Sequence, residues 1–135
     1  MKTLTFSELA TASRNRDIEW MGHAPSKADL LFNSNELAGE VGEACNWVKK
    51  LSRTRMGIKG SLPEDVAIAE LRKELADVVI CAHRVAAVEG IDLGVAVLEK
   101  FNETSDKHGF VTKLRVRASK GPDDESEEED LPETT

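Results

Sequence analysis

At 135 residues, the chain is long enough for one domain, or for a subunit that completes a modest core against a copy of itself. Its formal charge is −7, but eight of the 25 acidic residues follow Gly121, and all 18 Lys and Arg precede it. The preceding part is therefore nearly neutral and has only Phe and Trp for stacking, which argues against a nucleic-acid partner.

The acidic stretch 118–135 contains almost nothing apolar to bury, and we predict a disordered tail after a folded domain at 1–117. No signal peptide is recognised, and no apolar run approaches the ~18 residues of a membrane span. We therefore expect a cytoplasmic protein that does not enter a membrane. Cys45 and Cys81 lack metal-ligand spacing, so we expect buried free thiols.

Helix start signals recur along the chain and predict an all-α fold resembling a four-helix bundle. Thr5 and Glu8 match a capping box, Ser26 and Asp29 match a second, and Ser61 opens a third with a proline in its first turn. The predicted helices cover about 5–20, 26–51, 61–89 and 92–107, with Asp92 capping the last, and 110–117 is either a short strand or an extended arm.

The second and third helices each carry an apolar stripe with the spacing of helices that pack in a bundle. The stripes are Leu30, Leu37, Val41, Ala44, Val48 and Leu51 on the second helix, and Leu71, Leu75, Val78, Ala82 and Val85 on the third.

A row of acids flanks each stripe on the same side, about 100° round the helix. If the two helices pair antiparallel, the rows converge. The acids are Glu36, Glu40 and Glu43 on the second helix, and Glu70, Glu74 and Asp77 on the third.

Carboxylates crowded beside a seam do not all stay ionised without a counter-charge. Oxygen-only ligands, with no His or Cys among them, favour Mg²⁺ or Mn²⁺, which would leave positions for water and phosphate oxygens. A di-iron centre is disfavoured because it uses a Glu-x-x-His motif. The chain's histidines do not fit that spacing and are expected at the surface or its boundary: His23, His83 and His108.

A basic segment lies between the two acidic rows. Its cations favour either a solvated helix end or contacts with the non-reacting phosphates of a substrate. They are Lys49, Lys50, Arg53, Arg55 and Lys59.

Taken together, the motifs resemble the MazG-type all-α nucleoside triphosphate pyrophosphohydrolases, whose signature is Glu-x-x-Glu followed, after a gap, by Glu-x-x-Asp. Here these motifs read Glu40-Val-Gly-Glu43 and Glu74-Leu-Ala-Asp77. The segment "KFNETSDKHGF" from Lys100 is similar to the last helix of such proteins, and the resemblance spans about 30–110. The gap of 30 residues between the two motifs is long for this clan.

The resemblance implies hydrolysis of a (d)NTP to the monophosphate and pyrophosphate, with Mg²⁺ held by Glu40, Glu43, Glu74 and Asp77. Glu40 or Glu43 would also orient or deprotonate the attacking water. It further implies that subunits complete their active sites in a homodimer or a dimer of dimers.

Several further residues are candidates for contact with the substrate. Trp20 and Trp47 would stack on a base or pack at the core boundary. Glu36 is either a further metal ligand or a residue that contacts the metal ligands rather than the ion. Phosphate and ribose candidates are Lys50, Lys100, Asn102 and Lys107. Gly39 and Gly42 are interpreted as admitting a close helix or substrate.

Two alternatives stay open. The first is a helical oligomerisation or regulatory module that binds a nucleotide, with or without metal, and does not hydrolyse it. Within the clan, phosphoribosyl-ATP hydrolysis is a third possibility.

Overall fold

The computed structural model describes residues 3–116, and within them the fold is all-α, as predicted. A single 3₁₀ turn, Lys27–Asp29, precedes the second helix. The helices are α1 (Phe6–Met21), α2 (Leu30–Arg55), α3 (Glu64–Glu89) and α4 (Leu93–Lys107). The predicted tail, 118–135, lies outside the described residues.

The helix ends follow local chemistry at most positions. Thr5 and Glu8 form the expected capping box, and the Asp92 carboxylate accepts from the Val95 amide at the start of α4. The third predicted box is wrong: α3 begins after Pro63, and the Ser61 hydroxyl donates to the Ile58 carbonyl within the loop. The reason is that this hydroxyl closes a loop turn rather than capping a helix.

The helices α2 and α3 form the central antiparallel pair, because the short connection between them returns the chain. Helix α1 packs across α3, and α4 packs on α1. Gly94 permits the close approach of α4, since an added Cβ would lie 3.1 Å from the Phe6 Cβ. Acidic and apolar surfaces of the α2–α3 pair are thereby left uncovered by α4.

The core of the described chain is small. Its buried apolar residues are mostly short, such as Ala44, Ala67 and Ala86, and no large side chain is fully buried there. Three residues of the predicted stripes are largely open instead: Val41 is 42%, Val48 48% and Leu75 53% exposed. Within one chain, the stripes are therefore only partly covered by neighbouring helices.

The segment after α4 is an irregular extended arm through residue 116, not a strand. The Asn102 side chain holds this arm through two hydrogen bonds. Its Nδ2 donates to the Leu114 carbonyl at 2.9 Å, and its Oδ1 accepts from the Leu114 amide at 2.8 Å. No helix in residues 3–116 is long and apolar enough to cross a membrane.

Two expectations about single residues are wrong. Cys45 is exposed, because it lies on the uncovered side of α2, whereas Cys81 is a buried free thiol as expected. His83 is buried at the α1–α3 contact and stacks on Phe6, with 5.5 Å between ring centroids. It lines a cavity of about 330 Å³ between α1, α3 and α4 that contains none of the predicted metal ligands.

Candidate metal centre

Three of the four predicted metal ligands converge on one point between α2 and α3. Glu40 comes from α2, and Glu74 and Asp77 come from adjacent turns of α3. One carboxylate oxygen of each lies within 4.8 Å of those of the other two. Two acids three residues apart on one helix share a face, so helix pairing alone brings the third acid to them.

The electrostatics of the trio favour a counter-charge. The pKa of Glu40 is raised above its ordinary value by burial and by the charges of Asp77, Glu43 and Glu36. Burial and the neighbouring Glu43 likewise raise the pKa of Glu74. Both carboxyls therefore hold protons more tightly than free glutamates do, and a bound cation would reverse that tendency.

Glu43, the fourth predicted ligand, lies beside the trio rather than within it. Its side chain is exposed, and it lies close enough to Glu74 to raise the pKa of that carboxyl. The structure thus places Glu43 at the solvent-facing edge of the cluster.

The donor set fits a hard divalent cation. It offers carboxylate oxygens only, from two helices, and the three acids at its centre are half-buried or exposed. Mg²⁺ is bound by few carboxylates and keeps several waters, whereas zinc would favour His and Cys. The chemistry of these residues therefore matches Mg²⁺ or Mn²⁺ better than a softer metal.

The sequence analysis missed a buried cation, Arg84. The Arg84 Nε donates to Asp17 Oδ1 at 2.8 Å, and its Nη1 donates to Glu36 Oε2. Arg84 and Asp17 are each only 5% exposed. The available signal was a lone cation in the apolar run "VVICAHRVAAV" of α3, because a charge is seldom buried there unless it is paired.

The Glu36 side chain contacts Arg84. Glu36 precedes Glu40 by one turn of α2, yet one of its oxygens is held by the guanidinium. It is not part of the trio. Of the two roles expected for Glu36, contact with the metal-binding residues fits this position better than direct binding of the ion.

The two tryptophans flank the α2–α3 pair in different ways. Trp20 is well exposed, and the Arg84 Cζ lies 5.7 Å from the centre of its ring. Trp47 is half-buried on α2, and the Lys50 Nζ lies 3.7 Å from its ring centre, close enough for a cation–π contact. Lys50 also lines a hollow of about 190 Å³ with Arg53 and the 60–62 turn.

The candidates on α4 are not brought to the acidic trio within one chain, because α4 packs on α1. Lys100 pairs with Glu103 at 3.0 Å, and the Asn102 amide is engaged by Leu114. Lys107 lies exposed in the last turn. Gly39 and Gly42 have nothing within 4 Å of an added Cβ, so no helix of the described chain uses the space beside them.

Comparisons of the chain with family models, with curated proteins and with solved structures find no match. The assignment of a function therefore depends on the acidic trio and on the resemblance of its motifs.

Proposed function

We propose that the protein is a Mg²⁺-dependent nucleoside triphosphate pyrophosphohydrolase that converts a (d)NTP and water to the monophosphate and pyrophosphate, as cytoplasmic housekeeping of the nucleotide pool. The observation that supports it is the convergence of Glu40, Glu74 and Asp77 at one point, with the pKa values of the two glutamates raised by burial and by neighbouring acids. Three of the four carboxylates of the Glu-x-x-Glu and Glu-x-x-Asp motifs take part in it.

The carboxylates have different proposed roles according to their positions. When bound, Mg²⁺ would offset the charge of the trio and of the polyphosphate oxygens. Glu40, Glu74 and Asp77 hold the ion, and the exposed Glu43 at the edge of the cluster orients the attacking water and accepts its proton. Lys50, seven residues after Glu43 on the same helix, reaches the non-reacting phosphates, and Trp20 and Trp47 are the surfaces for a base.

The proposal includes a second copy of the chain. Val41 follows Glu40 by one residue, and Leu75 follows Glu74 in the same way, so both lie about 100° round their helices from the acids. Val48 is exposed as well, and we propose that these three apolar residues belong to one surface of the α2–α3 pair. A homodimer, or a dimer of dimers, would bury this surface. It would also allow Lys100 and Lys107 of a second copy to approach the site.

The test is pyrophosphate release from a panel of (d)NTPs with and without Mg²⁺, with phosphoribosyl-ATP included. Glu40→Gln and Asp77→Asn are expected to lose more activity than the ~10–100-fold typical of residues that only orient a ligand, with helicity by circular dichroism unchanged. Glu70→Gln is the matched control, because its carboxylate lies on α3 one turn from Glu74 but pairs with Lys73 at 2.7 Å.

Full activity in either trio variant would refute the assignment of the site. Nucleotide binding without pyrophosphate release from any member of the panel would instead favour the non-catalytic binding module.

A further inference from the structure

The Arg84 clamp, defined as Arg84 with Asp17 and Glu36, joins three helices through one side chain. Arg84 lies in α3, Asp17 in α1 and Glu36 in α2, and each acid accepts from a different nitrogen of the guanidinium. The planar guanidinium suits such a double contact, whereas a lysine ammonium offers only one compact point of charge.

Stability alone is a weak reason for this cluster. Replacing a buried ion pair by apolar residues of similar volume is often neutral or stabilising, because taking charges out of water is costly. The clamp also brings two carboxyl groups to one cation, and one of them, Glu36, lies one turn of α2 from Glu40. A role other than stability would be to hold one of its carboxylates in position.

The side chain that it positions is Glu36. The negative charge of Glu36 acts on Glu40, one turn away, and is among the causes that raise the Glu40 pKa. Arg84 engages only Oε2 of Glu36, whose side chain remains 36% exposed. The second oxygen, Oε1, accepts no hydrogen bond from the described residues.

We propose that Arg84 is a positioning residue that holds Glu36 beside the point where Glu40, Glu74 and Asp77 would hold Mg²⁺, so that the free oxygen of Glu36 would serve the waters that such an ion keeps. The inference rests on the metal centre of the proposed function. Mg²⁺ keeps several waters when few carboxylates bind it, and residues that orient such ligands typically contribute 10–100-fold in metal affinity.

The experiment measures the Mg²⁺ affinity of the full chain by calorimetry without nucleotide. Arg84→Lys retains the charge but loses the double contact, and we expect it to weaken Mg²⁺ binding by about 10–100-fold. Asp17→Asn is the matched control: it loosens the contact with α1 and lowers the melting temperature, but leaves Arg84 on Glu36, so Mg²⁺ affinity should stay within about twofold.

A double-variant cycle tests whether Arg84 acts through Glu36. Glu36→Gln should weaken Mg²⁺ binding, and adding Arg84→Lys should weaken it no further, because the side chain to be positioned is already changed. Additive losses, an unchanged affinity in Arg84→Lys, or an equal loss in Asp17→Asn would each overturn the inference. Should Arg84→Lys fail to fold, Glu36→Gln, which keeps the Arg84–Asp17 pair, decides: unchanged affinity there also overturns it.

The outcomes separate this inference from the proposed reaction. A protein that binds Mg²⁺ and shows the Arg84 effect, yet releases no pyrophosphate, would refute the reaction and support the clamp. An active enzyme whose Mg²⁺ affinity is insensitive to Arg84→Lys would refute the clamp alone.

Discussion

Burial and the neighbouring acids of Glu40 and Glu74 determine how the metal-free site responds to pH. The pKa values of Glu40 and Glu74 are raised by burial and by neighbouring acids, including Asp77 and Glu43. Between the ordinary and the raised pKa, the folded chain therefore binds more protons than the unfolded chain. In that window, the free energy of unfolding falls as pH rises.

We predict that the melting temperature of the metal-free protein, measured in chelator, falls as pH rises from about 4.5, the ordinary glutamate value. Below that pH, the protons relieve the repulsion in the folded state. Glu40→Gln should flatten this trend relative to the parent, and Mg²⁺ should reverse it by competing with the protons. A parent melting temperature that rises with pH more steeply than that of Glu40→Gln would contradict the assignment.

Residue-scale prediction from the sequence succeeds where helical spacing decides the outcome. The offset of the acids from the apolar stripes is enough to bring Glu40 to Glu74 and Asp77. The spacing of the acids does not predict that Glu43 lies outside the trio, because the position of its carboxylate also depends on its side-chain rotamer. It also gives no sign that Arg84 bonds Asp17, 67 residues away, since no local pattern encodes a tertiary ion pair.

At the scale of elements, helix ends are predictable where a side chain caps a backbone amide. Thr5 and Asp92 do so, and both predicted starts are confirmed. Ser61 does not, because a loop competes for its hydroxyl. Local signals thus place helices well and leave the geometry of loops to tertiary contacts.

The extended arm after α4 provides an element-scale prediction. Asn102→Ala removes two hydrogen bonds to Leu114, worth about 1 kcal/mol each, and should release the arm. We expect trypsin to cleave after Lys113 roughly tenfold faster, as followed by mass spectrometry. Lys100→Ala, which removes only an exposed pair with Glu103, is the control and should leave the cleavage rate unchanged; equal rates in both variants would show that Asn102 does not tether the arm.

At the scale of the whole molecule, the described chain buries few large apolar side chains. Short residues dominate its buried core, while Val41, Val48 and Leu75 lie open on the α2–α3 pair. Net stabilities are only about 5–15 kcal/mol, so burial of several such side chains, at about 1.5–3 kcal/mol each when complete, would be a large contribution. A second copy is the partner that we propose for this surface.

We predict that Leu75→Glu dissociates the proposed oligomer, because it places a charge in the proposed apolar interface. Light scattering coupled to size exclusion should show a mass near that of one chain, 14.8 kDa, and the melting temperature should fall. Met56→Glu, which changes an exposed residue at the end of α2, should keep the parent mass. A parent that is monomeric at micromolar concentration would refute the interface.

The different surroundings of the two cysteines have a practical consequence. Burial raises the pKa of the Cys81 thiol, whereas Cys45 is accessible on α2, between Val41 and Val48. Because alkylating reagents attack exposed thiolates, a probe would attach at Cys45 first. The native chain thus carries its own labelling point near the proposed contact, and a spin label there would report the separation of two copies without an engineered residue.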